Sequence, residues 1–386
     1  MARTKKKAEP IDELIDEMEV SEEMLMLEVE KNKMRLNPNE LIPSGSTLLD
    51  IAVTNTTHGC YLTGKYYHLV GGSTSGKTMA MLHAIANIVN NPKYDDYDIF
   101  VDEPEDGCEV DIEEMFGPVT ASRLKAPNYD KGGDAIHSVT VEDFYDTVQK
   151  KNDICESTGK KFFYFLDSMD SLTSEADIKK MEENMKLRDA DKETGGSFGM
   201  GKASVNSKRL GMCRNNLKRN DCTLFIISQE RDDIRPMAHG GATYSGGKAL
   251  KFYADLQLWF KGVGEITTTI DGNTYPVGNK AIVNITKNRL SGQKHKKIPI
   301  EISFNYGMDN IGPCIDKVIQ FGFWKKGTSI DTGSYFGEPI KKVKNGLAIW
   351  IDNNDKEEAL IKLVSKLHND VQSKIKDKFK RNKRYK

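Results

Sequence analysis

The sequence predicts a doubly wound α/β fold, and three observations carry that expectation. Residues Gly71-Gly72-Ser73-Thr74-Ser75-Gly76-Lys77-Thr78 read G-x-x-x-x-G-K-T, the pattern of a phosphate-binding loop. The motif follows a strand-like run, Tyr66–Val70, and opens a helix-like run, Lys77–Asn90, that stops at Asn91-Pro92. From Leu41 to about Asn310, apolar strand-like runs alternate with helical stretches, which implies crossover connections and a mainly parallel sheet.

The elements follow in order. Residues 1–40 are highly charged, with Ile11, Leu14, Ile15 and Met18 at helical spacing and Met24, Leu25 and Leu27 in a second run. They read as a small N-terminal helical region, suited to packing on the chain's own core or to docking on a neighbouring subunit. Residues 41–310 form the core. Strands are expected at Tyr66–Val70, Ile99–Asp102, Phe162–Asp167, Thr223–Ser228, Leu256–Phe260, Ala281–Thr286 and Ile298–Phe304. The last of these crowd around Asp271-Gly272-Asn273, a good hairpin turn, so the parallel sheet gains an antiparallel extension. Residues 311–386 form a small C-terminal α+β region, with a helix near Ile315–Phe321 and a long helix from about Lys356. Its end holds Lys374, Lys376, Lys378, Lys380, Arg381, Lys383, Arg384 and Lys386 against Asp377. That end is either a solvated helix terminus or a basic arm for nucleic-acid phosphates, with Phe379 and Tyr385 favouring the second.

Composition narrows the function. The 386 residues carry a net charge of −1, so any nucleic-acid binding must come from local basic surface. Six cysteines lie far apart without C-x-x-C spacing, which argues against a zinc site or disulfide framework. No apolar run approaches a membrane span, and the basic start lacks an apolar stretch behind it. A soluble, intracellular, cytoplasmic protein with no membrane partner is expected.

The motif chemistry points to ATP and Mg²⁺. Glycines Gly71, Gly72 and Gly76 let the backbone, with Ser73, Thr74 and Ser75, aim N–H groups at phosphate oxygens. The following helix adds its N-terminal dipole. Lys77 is the expected partner of the β- and γ-phosphates, and the Thr78 hydroxyl a ligand of Mg²⁺. Asp167 ends the buried run Phe162-Phe163-Tyr164-Phe165-Leu166 and is expected to be a second metal residue rather than a helix cap. The neighbouring strand ends in Val101-Asp102-Glu103-Pro104-Glu105, rich in carboxylates that could orient an attacking water.

Further residues carry a resemblance. Ile42-Pro43-Ser44-Gly45-Ser46 with Leu48-Leu49-Asp50-Ile51-Ala52, then Asp167-Ser168-Met169 with Ser171-Leu172-Thr173, and above all Ser245-Gly246-Gly247-Lys248-Ala249-Leu250-Lys251-Phe252-Tyr253-Ala254, are similar to motifs of the RecA-type recombinases. The likeness covers most of residues 41–325 and implies a RecA-like ATPase core. It implies Glu105 as catalytic base, with Glu103 the alternative because Pro104 interrupts the usual D-x-E pattern. It gives Gln229 as a γ-phosphate contact at the start of a DNA loop. Lys287 and Arg289 become cations that reach a neighbouring subunit's ATP. Two DNA-binding loops follow: one over about Glu175–Asn206 with Met200 and Lys202, and one over about Arg231–Tyr244 with Arg231, Arg235, Met237 and His239. Arg209, with Arg214, Lys218 and Arg219, adds positive field from a following helix, and Gly246 and Gly247 are counted with the DNA site. The implied activity is DNA-dependent ATP hydrolysis in a helical homo-oligomer on single-stranded DNA, with pairing to homologous duplex DNA and strand exchange. A single-strand-binding protein and a loader are the implied accessories. The compact layout and the altered D-x-E motif resemble phage-encoded members, and the basic end departs from the acidic tail common in bacterial ones. Two rivals stay open: a hexameric helicase, and an ATP-binding recombination mediator with weak turnover.

Overall fold

The computed structural model describes residues 36–105, 110–189, 200–232 and 242–378. Contacts divide the chain into two units, residues 1–40 and 41–386. The N-terminal amphipathic runs, Arg235, Met237, His239 and the terminal cations from Lys380 onward lie outside the described residues.

The second unit begins with α1 (Thr47–Thr54), β1 (Tyr66–Gly71), α2 (Lys77–Val89) and β2 (Asp98–Asp102). After α3 (Ile112–Phe116), α4 (Pro118–Arg123) and three two-residue strands, β3 (Leu124–Lys125), β4 (Asn128–Tyr129) and β5 (Ala135–Ile136), come α5 (Val141–Thr158) and β6 (Phe162–Leu166). Next are α6 (Glu175–Asp189), α7 (Met200–Asn220), β7 (Thr223–Asp232), β8 (Ala242–Tyr244) and α8 (Ala249–Tyr253). A long hairpin follows, β9 (Leu256–Ile270) and β10 (Asn273–Asn288), then β11 (Ile298–Ser303), β12 (Gly307–Asp309) and α9 (Ile311–Gln320). The chain closes with β13 (Lys325–Lys326), β14 (Ile330–Asp331), β15 (Lys341–Lys342), α10 (Lys344–Asn353) and α11 (Glu357–Lys378).

The main sheet runs β12-β11-β10-β9-β1-β7-β6-β2-β3, with β8 hydrogen-bonded to β7. Neighbours from β9 to β3 are parallel, and those from β9 to β12 antiparallel, as the sequence predicts. The central strands are continuous apolar runs because both faces are covered. Tyr66, Tyr164, Leu166, Leu224 and Ile226 pack beneath α5, α7 and α8 with Phe144, Val148 and Leu210. Alternate residues turn to the other face, where Phe165 stacks on Phe225 at 4.7 Å.

Local chemistry sets the element ends. Thr140 and Asp143 form a reciprocal capping box at the start of α5, and Gly159, at φ 75°, ends it in the left-handed region. The β9–β10 turn places Asp271 and Gly272 at φ 51° and 81°. That is the geometry a two-residue hairpin needs, although both strands extend well beyond the expected spans. Beyond Phe260, β9 leaves β1, and before Gly278 β10 has not yet met β11. The hairpin tip therefore projects as a two-stranded arm.

Candidate active site

The carboxyl ends of β1, β7, β6 and β2 meet at one edge of the sheet. Register places Gly71 beside Gln229, Leu166 beside Ile226 and Asp102 beside Leu166. The phosphate loop thus emerges next to Gln229, while Asp167 leaves the adjoining strand. This is where ligands bind in open α/β sheets.

Glycine is required at two loop positions. A Cβ on Gly71 would lie 2.5 Å from the Phe260 carbonyl oxygen and 2.7 Å from Ser75 Oγ. Gly76 caps α2 at φ 93°, and a Cβ there would lie 2.3 Å from Ile302 Cδ1. Lys77 Nζ donates to Gly72 O at 2.6 Å, and Ser75 Oγ donates to the same carbonyl at 2.7 Å. Burial pulls Lys77 below its ordinary pKa, against the opposing charges of Asp167, Asp170, Glu105 and Glu230.

Thr78 Oγ1 donates to Asp167 Oδ2 at 2.6 Å, so a hydroxyl and a carboxylate converge as two hard oxygen donors. Burial raises the Asp167 pKa, and Glu105 adds to the rise; a cation here would relieve that cost. The pair suits Mg²⁺, which takes one or two protein oxygens and completes its shell with phosphate and water. Among the described residues no cluster of three or more His, Cys, Asp or Glu forms a metal cage. The loop backbone at the head of α2 likewise suits a polyphosphate.

The two candidate bases part company. Glu105 Oε1 accepts from Ser168 Oγ at 2.9 Å and from Ser171 Oγ, which holds it beside the Asp167 turn. Glu103 donates its backbone N–H to His137 Nδ1 at 3.0 Å, beside a different loop. Asp102 is buried and accepts from Ser138 N, Ser138 Oγ and Tyr164 Oη at 2.6–2.9 Å, so it serves the fold.

Lys287 and Arg289 gather at the end of α8. Lys287 Nζ donates to the carbonyls of Lys251, at 2.7 Å, and Phe252, and Arg289 donates to Phe252 O at 3.0 Å. They meet the negative end of a helix, on the surface. Burial, with Arg289 adding to it, pushes Lys287 down to about 8.

The expected DNA loops need correction. Most of 175–206 is helix, α6 and the start of α7, and residues 190–199 lie outside the described set, as does the Met200 side chain. Lys202 is not a surface contact: it is buried, and its Nζ donates to Met169 O and Asp170 O, each at 3.0 Å. Arg209 is not a free cation either; it pairs with Asp146 on α5. Arg214 grips Asp255 with two hydrogen bonds, and Arg219 pairs with Glu156. These pairings engage three of the four cations expected to add positive field, while Lys218 is exposed on α7. At the margins of the second expected loop β7 and β8 pair antiparallel, Arg231 with Thr243, and residues 233–241 lie outside the described set. Gly246 and Gly247 both have positive φ, and a Cβ on either would come within 2.8 Å of α7, at Asn206 Nδ2 or Ala203 Cβ. Their glycine identity is explained by close packing.

Sequence reasoning passed over Asp170. Its carboxylate accepts from Gln229 N at 2.6 Å and Ser245 Oγ at 2.6 Å, and pairs with Arg231 at 3.2 Å. The signal available was a second acid three residues after Asp167. The open 450 Å³ pocket bounded by Leu48, His295, Pro313, Phe321 and Val364 is a separate feature, lined by none of these residues.

A profile described as the RecA N-terminal domain matches residues 149–309. The protein RecA of Streptomyces ambofaciens is 29% identical over 344 residues, covering 89% of this chain and 78% of the relative. The protein RecA of Mycolicibacterium smegmatis is 28% identical over 370 residues, covering 92% and 91%. These likenesses support a RecA-type recombinase family for the chain. Among the described residues, no helix is long and apolar enough to cross a membrane.

Proposed function

We propose that this RecA-type chain is an ATP-dependent recombinase that assembles as a helical filament on single-stranded DNA and exchanges that strand with a homologous duplex in the cytoplasm. The observation that supports this best is the register of β1 with β7, which sets Gly71 of the phosphate loop beside Gln229, at the foot of the β7–β8 hairpin. Nucleotide and DNA loop then share one strand.

Each residue has a role under this reading. The 71–78 backbone and Lys77 hold the phosphates, and Thr78 with Asp167 holds Mg²⁺. Bound MgATP supplies the phosphoanhydride and neutralises charge on its oxygens. Glu105, held by Ser168 and Ser171, orients the attacking water and takes its proton. The Gln229 amide donates to a γ-phosphate oxygen, so its position depends on nucleotide state. Lys287 and Arg289 reach the nucleotide of an adjacent copy and stabilise transition-state charge. Arg231, more than half exposed, is a cation available to DNA phosphates.

Electron microscopy of the protein with single-stranded DNA and a slowly hydrolysed ATP analogue tests the proposal. Extended helical filaments are expected. Closed rings threaded on DNA would transfer the assignment to a helicase, and dispersed monomers would refute assembly altogether.

A further inference from the structure

Three donors from three places converge on the Asp170 carboxylate. The Gln229 N–H lies at the nucleotide-facing point of β7, the Arg231 guanidinium lies two residues further along it, and the Ser245 hydroxyl immediately follows β8. The carboxylate is only 4% exposed, while Arg231 is 58% exposed. Below it, Lys202 fixes the turn by donating to the Met169 and Asp170 carbonyls, and Met169 N donates to Ile227 O at 2.9 Å. One acid thus bonds the strand that meets the phosphate loop and both sides of the hairpin base.

We infer that Asp170 is a positioning residue that couples the nucleotide-facing end of β7 to the base of the β7–β8 hairpin, and so sets how strongly ATP and single-stranded DNA influence each other's binding. The inference rests on the proposed function and adds to it a regulatory element. An ionised carboxylate only accepts hydrogen bonds and can satisfy all three donors together. It does so while Gln229, Arg231 and Ser245 hold this arrangement. A shift of Gln229 toward a γ-phosphate loosens the clamp, and DNA phosphates compete for Arg231 from the exposed side. Each ligand therefore biases the same joint.

The test measures the dissociation constant of a fluorescent, non-hydrolysed ATP analogue with and without oligo(dT), and that of oligo(dT) with and without the analogue. The two ratios must agree, because coupling is reciprocal, and a factor between about 5 and 150 is ordinary. Asp170→Asn keeps the volume but replaces one acceptor with a donor that faces donors. Ser245→Ala removes a single arm with little risk to folding. Both variants are expected to lower the coupling factor at least about threefold, with each ligand alone binding as tightly as in the wild type or more tightly, because it no longer has to loosen the clamp. Ser245→Thr, which keeps the hydroxyl, is expected to retain coupling. Wild-type coupling in both Asp170→Asn and Ser245→Ala would overturn the inference, and so would equal loss in Ser245→Thr and Ser245→Ala. Should Asp170→Asn fail to fold, the Ser245 pair decides alone. Absence of coupling in the wild type itself would overturn the proposed function along with the clamp, which separates that failure from failure of the clamp alone.

Discussion

Raising the pH from 7 to 9 is expected to slow ATP turnover in the wild-type chain far more than in Lys287→Arg. Lys287 lies half-buried at the end of α8 beside Arg289, and these surroundings bring its ammonium group down to about 8. The sign is that of a depressed lysine: charged below that value, neutral above it. About nine-tenths of the side chains carry the proton at pH 7 and about one-tenth at pH 9. If only the charged form assists a neighbouring nucleotide, kcat/KM for ATP falls roughly tenfold across that range, since this quantity reports groups of the free enzyme. Arginine stays charged throughout, so its profile should lack this step even if its absolute rate is lower. The assay is steady-state hydrolysis on saturating oligo(dT) at constant ionic strength from pH 6.5 to 9.5. The same descent in Lys287→Arg, or a flat wild-type profile, would refute the reasoning.

Three further outcomes follow from the geometry. Glu105→Gln should reduce single-turnover hydrolysis about 10²- to 10⁴-fold, whereas Glu103→Gln should leave it nearly unchanged; the reverse ranking would reassign the base. Lys202→Ala should lower stability by roughly 1–3 kcal/mol in urea titration, as two buried carbonyls lose a charged donor; a smaller salt slope of DNA binding would show instead that Lys202 meets phosphates. Asp50 is buried, and burial raises its carboxyl from 3.8 to about 7. Its folded-state pKa thus exceeds the unfolded one, so its contribution to stability is complete below pH 4 and lost as pH rises through 7. Asp50→Asn should flatten that decline, at most about 4 kcal/mol; an unchanged pH dependence would count against a proton held at Asp50.

Much of this arrangement was legible in the chain because it depends on local pattern. The phosphate loop announces itself through glycine and lysine spacing, and Phe162–Leu166 reads as a doubly covered strand. The Asp271-Gly272 turn shows itself through residues that tolerate positive φ. What escaped depends on neighbours distant in sequence. The α6 segment has no apolar stripe, and Met181 and Met185 are exposed on it, so periodicity offered no helix signal and the nearby glycines suggested a loop. Lys202 and Arg209 look like surface cations until tertiary packing brings the Met169–Asp170 carbonyls and Asp146 to them. The hold of Ser168 and Ser171 on Glu105 likewise joins residues more than sixty positions apart.

The projecting β9–β10 arm bears on solubility under crowding. Past Phe260 the outer edge of β9, and before Gly278 that of β10, pairs with no further strand among the described residues, and such edges invite sideways cohesion between molecules. A protein that stacks copy upon copy raises its own local concentration, so an unguarded edge would compete with the intended contact and yield tangled aggregates. Several features of the arm discourage this. Pro276 removes one donor, register breaks at Pro276–Gly278 and Lys280–Ala281 distort the ladder, and Lys261, Glu265 and Lys280 carry charge along it. In the proposed filament, orderly growth would thus depend partly on a hairpin that resists joining its own kind.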